Sequence, residues 1–289
     1  MSRSRPRRQP KKRPRGKDQR EKILRHGPRP TRVGADDIDR DALDKHALRV
    51  VERLQDHGHA AFFVGGCVRD LLIGRVPKDF DVATSARPRD VSRLFGNGRI
   101  IGRRFKLVHI RYGTKIIETA TFRAEPREAA GDGDLLIRED NEYGTAGEDA
   151  RRRDFTVNGL FLDPTSDEIL DYVHGLEDLD DRVLRTIGDP FVRLAEDPVR
   201  IMRAIKFATR LDFHIHQDTW DAMCEQAAQL ERSAPPRVLE EILRLVRSGS
   251  ALGAFRMMRD CGALEVLLPD LADYLGPRPT SDPRDKDRA

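Results

Sequence analysis

Gly65-Gly66-Cys67-Val68-Arg69-Asp70, followed a few residues later by Lys78-Asp79-Phe80-Asp81, is the stretch that decides how this chain reads. The glycine pair ends the apolar run Ala60-Ala61-Phe62-Phe63-Val64, so backbone N–H groups can approach a polyphosphate where a helix begins, with Arg69 one turn in. Gly74 caps that helix, Pro77 bars its continuation, and Asp79-Phe80-Asp81-Val82 then reads as a strand. Side chains alternate along a strand, which puts Asp79 and Asp81 on one face and Phe80 in the core. Two carboxylates so placed, beside a turn that cradles phosphate, can hold a pair of Mg²⁺ ions against a triphosphate. An isolated Asp-x-Asp would read as two solvated acids at a hairpin edge; the glycine pair, Arg69 and the spacing together favour the site.

Around this stretch strands alternate with helices. Leu43, Ala47, Val50, Val51 and Leu54 recur at helical spacing up to Gly58. Strands are expected near 60–64, 79–83, 105–112 and 115–122, and helices at 67–73 and, after Pro88, at 88–95. Tyr112-Gly113-Thr114-Lys115 makes the last two strands a hairpin. Residues 124–150, rich in Gly and acids, read as a long mobile loop. From Asp154 onward the pattern is helical, with runs near 154–162, 191–211, 217–232, 236–247 and 250–260, and a frayed end past Pro269.

Three further groups carry chemistry. Glu118 lies on an otherwise apolar strand, either as a third acid for the metal site or on the open face of a sheet. Arg151-Arg152-Arg153-Asp154-Phe155-Thr156-Val157-Asn158 follows the loop; Asp154 could cap a helix or accept from ribose hydroxyls, and Arg153 could pair with phosphate. In Glu196-Asp197-Pro198-Val199-Arg200-Ile201-Met202-Arg203, Asp197 is an N-cap candidate and Arg200 lies three residues on. A carboxylate acceptor beside a guanidinium donor matches adenine or cytosine, whose edges pair an amino N–H with a ring-nitrogen acceptor; guanine and uracil present the reverse order. His57, His59, His214 and His216 read as surface or turn residues.

The 289 residues are 38% hydrophobic and 35% charged, enough for the core of one or two domains. No run is long and apolar enough for a bilayer and the N-terminus lacks the stretch of a secretory signal, so a cytoplasmic location with no membrane partner is expected. Cys67, Cys224 and Cys261 form no CxxC pair, which suits a reducing compartment and no structural zinc. The net charge of +4 hides an asymmetry: residues 1–32 hold 14 Lys/Arg and two acids, leaving 39 basic and 47 acidic side chains in the rest. That Pro-rich segment reads as a disordered arm attracted to polyanions by counterion release.

The three motifs, in this order, resemble the nucleotidyltransferase superfamily of bacterial poly(A) polymerases and CCA-adding tRNA nucleotidyltransferases over roughly residues 40–270. The resemblance implies an α+β fold: a disordered basic arm at 1–38, a small mixed-sheet, polymerase-β-like head at 39–165, an all-helical neck and body at 166–270, and a disordered tail at 271–289. It implies that Asp79, Asp81 and Glu118 bind two Mg²⁺ ions, with Mn²⁺ as the alternative, and that Asp154 joins them as a catalytic residue. Gly65, Gly66 and Arg69 would hold the triphosphate, and Arg153, Asp154 and Asn158 the sugar and phosphates. Asp197, Arg200 and Arg203 would select the base. The implied reaction is attack of an RNA 3′-hydroxyl on the α-phosphate of ATP by a monomer acting on RNA 3′ ends; RNA-decay machinery as a partner does not follow from the sequence. Gly102-Arg103-Arg104-Phe105-Lys106-Leu107-Val108-His109-Ile110 and Asp140-Asn141-Glu142-Tyr143-Gly144-Thr145 look like the poly(A) polymerase branch. The alternatives are CCA or A addition to tRNA, an inactive RNA-binding relative, and an antibiotic-modifying nucleotidyltransferase. The last shares the glycine and Asp-x-Asp logic but gives no reason for the basic arm or the Asp197/Arg200 helix.

Overall fold

Phe62 and Phe63 point to opposite faces of strand β2 (Ala61–Val64), and every residue of that strand is buried, so it lies inside a sheet covered on both sides. The computed structural model describes residues 29–102, 106–124 and 142–275. Its main sheet has eight strands in the order β1-β8-β7-β2-β3-β6-β5-β4. They are β1 (Thr31–Gly34), β2, β3 (Asp81–Thr84), β4 (Gly98–Ile101), β5 (Leu107–Tyr112), β6 (Lys115–Thr121), β7 (Leu160–Asp163) and β8 (Glu168–Asp171). Only β3 and β6 pair in parallel among these, with Val82 beside Thr119.

Helix α1 (Lys45–Asp56) begins at Asp44, whose carboxylate accepts from the N–H groups of His46 and Ala47. It lays Ala47, Val50, Val51 and Leu54 on one sheet face, against Phe63, Val82, Val108, Ile110 and Ile117. Burying each larger aliphatic side chain there contributes about 1.5–3 kcal/mol, and truncating Phe63 to Ala would cost about 3–5 kcal/mol. The opposite face is covered only in part. Over β2, β7 and β8 it packs Phe62, Val64, Phe161 and Leu170 with Phe122 and with Ala146 and Ala150 of a short helix, α4 (Ala146–Arg151). Beyond β3 that cover stops, and Arg99, Arg111, Ile116 and Glu118 are exposed.

Two other helices complete the head: α2 (Gly66–Leu72) and α3 (Pro88–Leu94). After β8 come α5 (Gly175–Asp180), α6 (Pro190–Glu196), α7 (Val199–Leu211), α8 (Gln217–Gln226), α9 (Pro235–Val246), α10 (Ala251–Cys261), α11 (Ala263–Leu267) and α12 (Pro269–Leu275), with a two-stranded ladder of β9 (Val183–Leu184) and β10 (His214–Ile215). Ile201, Met202 and Ile205 of α7 join the same continuous core as Val82 and Ile117. No helix among the described residues is long and apolar enough to cross a membrane.

Several expectations are corrected. The helix expected at 154–162 is a 3-10 turn, Thr156–Asn158, followed by strand β7, because a short, fully buried apolar run has no period to tell strand from helix. The β7–β8 hairpin carries the sheet to Asp171, so a head ending at 165 cuts through it. Residues 31–34, assigned to a disordered arm, are edge strand β1, every residue of which is exposed; residues 1–28 lie outside the described residues. The expected mobile loop at 124–150 contains α4, started by a capping box in which Thr145 and Glu148 exchange bonds; residues 125–141 lie outside the described residues. The run at 191–211 breaks at Asp197 and Pro198 into α6 and α7. Residues 271–275, assigned to a disordered tail, belong to α12.

Candidate active site

The turn from β2 into α2 is built on Gly65, whose φ of +75° lies outside the range comfortable for a side chain. A Cβ there would stand 3.0 Å from Nη1 of Arg153. The glycine therefore brings bare backbone against a guanidinium, the arrangement that a phosphate group can enter. Arg153 is held from behind by Oδ2 of Asp149 at 2.9 Å, and its buried Nε has no hydrogen-bond partner among the described residues.

Asp79 and Asp81 are both exposed, and Phe80 between them is 5% exposed and packs edge-on against Phe63. Asp79 precedes β3 and Asp81 opens it. The parallel register places Glu118 beside Asp81 on the same sheet face, and Glu118 is itself 3.4 Å from Nε2 of His109. Asp81 keeps contact with solvent, yet the groups packed around it strip enough water that its carboxyl is pushed up to about 6; Glu118 and Asp79 add to the rise and Arg153 opposes it. Among the described residues no three His, Cys, Asp or Glu side chains are drawn into one compact cluster, so Glu118 flanks the aspartate pair rather than closing on it. Oxygen donors alone, with mutual repulsion for a cation to relieve, fit a hard divalent ion such as Mg²⁺.

The other expected nucleotide-binding side chains are tied to one another. Arg69, 2% exposed, donates through Nε and Nη2 to Oδ1 of Asp70 at 2.9 and 2.6 Å and through Nη1 to Oδ1 of Asn158 at 2.5 Å. Asn158 Nδ2 donates to Oδ1 of Asp154 at 3.1 Å. Asp154 also accepts the Phe155 N–H at 2.8 Å, and its Oδ2 receives Nε and Nη2 of Arg203 at 2.7 and 2.6 Å. These donors outweigh burial and hold the Asp154 carboxyl well below the usual carboxylate range. Arg69 is thus packed inside, one turn behind Gly66, and Asp154 points at α7 rather than at open space.

Asp197 does not cap α7. It ends α6, and its Oδ2 accepts from Nη2 of Arg237 on α9 at 2.8 Å. Arg200, 7% exposed, donates through Nη1 to the Arg193 carbonyl at 2.6 Å and to Glu196 at 3.2 Å, so the two side chains are not hydrogen-bonded together.

Three residues that the motifs did not single out support this arrangement. Arg193 Nη2 holds the carbonyls of Arg152 and Arg153 at 2.7 and 2.8 Å. Glu241, 5% exposed on α9, accepts from Lys206 Nζ at 2.5 Å and lies 3.9 Å from Arg203. Its signal was there to read, since Glu241 falls at apolar-stripe spacing between Val238 and Leu245. Phe207 carries Arg69, Lys206 and Arg203 over its ring at 5.1, 4.9 and 5.4 Å.

A mixed sheet with a glycine turn and an aspartate pair on its open side defines a nucleotidyltransferase head. Residues 61–185 match the family described as the poly A polymerase head domain, and residues 212–275 match the probable RNA and SrmB-binding site of polymerase A. The chain belongs to the family of bacterial poly(A) polymerases and CCA-adding enzymes. It is 44% identical over 246 residues to poly(A) polymerase I of Haemophilus influenzae, covering 82% of this chain and 54% of that protein. It is 35% identical over 231 residues to the CCA-adding enzyme of Lactobacillus helveticus, covering 80% of this chain and 56% of that one. The solved CCA-adding enzyme of Bacillus stearothermophilus, in complex with CTP, superposes with a TM-score of 0.67 at 33% identity, over 75% of this chain and 52% of that one. The chain spans about half the length of the curated relatives it matches.

Proposed function

We propose that the chain transfers AMP from ATP to the 3′-hydroxyl of RNA without a template, releasing pyrophosphate. The observation that carries this reading is the exposed Asp79/Asp81 pair on the open sheet face, next to a Gly65 turn that faces Arg153. In this reading Gly65, Gly66 and Arg153 receive the triphosphate. Asp79 and Asp81, with Glu118 alongside, hold the divalent ions, which when bound lower the pKa of the attacking hydroxyl and neutralise the leaving oxygens. The 3′-oxygen–phosphorus bond forms as the α–β phosphoanhydride breaks, pyrophosphate carries away the leaving oxygen, the hydroxyl proton passes to solvent water, and no covalent enzyme intermediate is needed.

Arg69, Asn158 and Asp154 act from behind the site, keeping α2 and α7 in register. Base choice falls to the start of α7. Asp197 supplies the acceptor, and Arg200 supplies the donors: its Nε and Nη2 have no protein acceptor among the described residues. Adenylation is preferred over CCA addition because the poly(A) polymerase relative is 44% identical and the CCA-adding one 35%. The matched solved structure, a CCA-adding enzyme with CTP, keeps that second reading in play.

The test offers the chain Mg²⁺ with ATP or CTP, and either an unstructured RNA or a tRNA lacking its CCA end. Long ATP-dependent tails on the unstructured RNA support polyadenylation. CTP-dependent addition that stops on the tRNA after the CCA end is restored establishes the second reading instead. Binding of RNA with no transfer would make the chain a non-catalytic relative.

A further inference from the structure

The half-covered sheet leaves a charged surface that runs outward from the aspartate pair, and its outer part takes no role in the nucleotide site. Cross-strand register puts Arg99 of β4 opposite His109 of β5, His109 opposite Glu118 of β6, and Glu118 beside Asp81 of β3, all on the same face. At about 4.8 Å per strand the row runs roughly 14 Å from the sheet edge to the aspartate pair. The next row out carries Arg111 opposite Ile116.

Charge changes sign along this surface. Its inner end holds the acids. Its outer end holds Arg99 and Arg111, both exposed and both without an ion-pair partner among the described residues. Between and beside them Ile101 and Ile116 are 44% and 38% exposed. The triphosphate cradle at Gly65 and Arg153 lies on the far side of β3 from these arginines, so they are not placed to serve it.

We propose that this open face of β4, β5 and β6 is the track for the 3′ end of the RNA strand, with Arg99 and Arg111 meeting its phosphates. The proposal rests on the transferase reading for the direction of the strand, whose terminal hydroxyl would lie at Asp81 and Glu118. Guanidinium groups spaced over apolar side chains suit a sugar–phosphate backbone with bases laid against the surface. Among the described residues of this face the His109 imidazole, beside Glu118, is the one ring a base could lie on, so the face grips mainly through phosphates and reads little sequence.

The full-length chain and its Arg99→Gln, Arg111→Gln and double variants would be titrated with a fluorescent single-stranded RNA at several salt concentrations, without ATP. Arg49→Gln, an exposed arginine on α1 against the opposite sheet face, serves as control. RNA bearing 4-thiouridine near its 3′ end would be photocrosslinked to the same proteins, and melting curves would verify folding. The expected result is a loss of affinity of about tenfold for the double variant and a salt slope lower by about 0.7 per arginine removed. KM for ATP should stay the same and crosslinks should map to β4 (Gly98–Ile101) and β5 (Leu107–Tyr112), with Arg49→Gln like wild type. Unchanged affinity and slope in a folded double variant, or crosslinks confined to 212–275, would overturn the track. Arginine-dependent binding and crosslinking in a chain that transfers nothing from ATP would keep the track and sink the transferase reading.

Discussion

Arg203 of helix α7 places Nε and Nη2 on one carboxylate oxygen of Asp154, at 2.7 and 2.6 Å, while the other oxygen is taken by the Phe155 N–H and by Asn158. One side chain thereby joins the segment after the head's short helix α4 to the helix that follows the Asp197-Pro198 break. Asp154 is 8% exposed, so its charge depends on these donors in place of water.

Asp154→Asn should destabilise the chain by about 2–3 kcal/mol at pH 7, less than for a fully enclosed pair because Arg203 keeps a third of its side chain in solvent. The folded-state pKa of Asp154 is depressed, so its contribution is complete above the unfolded carboxylate value of about 3.9 and is lost as pH falls below it. Urea denaturation from pH 7 to pH 3 should show wild type beginning to lose this component once pH drops below about 4, with the loss incomplete at pH 3 because the folded-state pKa lies lower still, and Asp154→Asn lacking that pH-dependent part. Parallel pH profiles for the two proteins would contradict the assignment.

Asn158 sits between Arg69, which can only donate, and ionised Asp154, which can only accept. An amide meets both. Asn158→Ala should cost about 1–3 kcal/mol in stability, the penalty for leaving buried polar groups short of partners. An unchanged denaturation midpoint would show that water replaces the amide without loss.

The glycine turn, the Asp79/Asp81 alternation and the β5–β6 hairpin were all legible, because each follows from local rules: a positive φ, a period of two, a tight turn. The β7–β8 hairpin was not. Leu160, Phe161 and Leu162 are buried on both faces and carry no period, and all four residues of β1 are exposed at the sheet edge. In the site, the motifs named Arg69, Asp154 and Arg200 but not their orientation. Spacing places a residue on a helix face; whether its charged group turns outward depends on partners elsewhere, here the Asn158 acceptor for Arg69, the Arg203 donors for Asp154 and the Arg193 carbonyl for Arg200, which only the tertiary fold supplies.

Lys206 and Glu241 form a buried pair at 2.5 Å between α7 and α9. Glu241→Leu alone strands the ammonium and should cost about 3–5 kcal/mol, whereas Glu241→Leu with Lys206→Met should recover most of that loss. Denaturation of the single and double variants decides it. Additive losses would mean that the ion pair is not the unit of stability.

Gly65→Ala forces a side chain into φ +75° and against Arg153. It should cost about 1–3 kcal/mol in stability and weaken Mg²⁺–ATP binding measured by calorimetry. Undiminished ATP affinity in a folded Gly65→Ala protein would place the triphosphate elsewhere.

The most direct test of the central claim follows label from α-³²P-ATP into RNA, comparing primers with a 3′-hydroxyl and a 3′-deoxy end and comparing wild type with Asp79→Asn/Asp81→Asn. Incorporation that needs Mg²⁺, the 3′-hydroxyl and both aspartates is the predicted result. Label entering the 3′-deoxy primer, or incorporation surviving in the double variant, would contradict it.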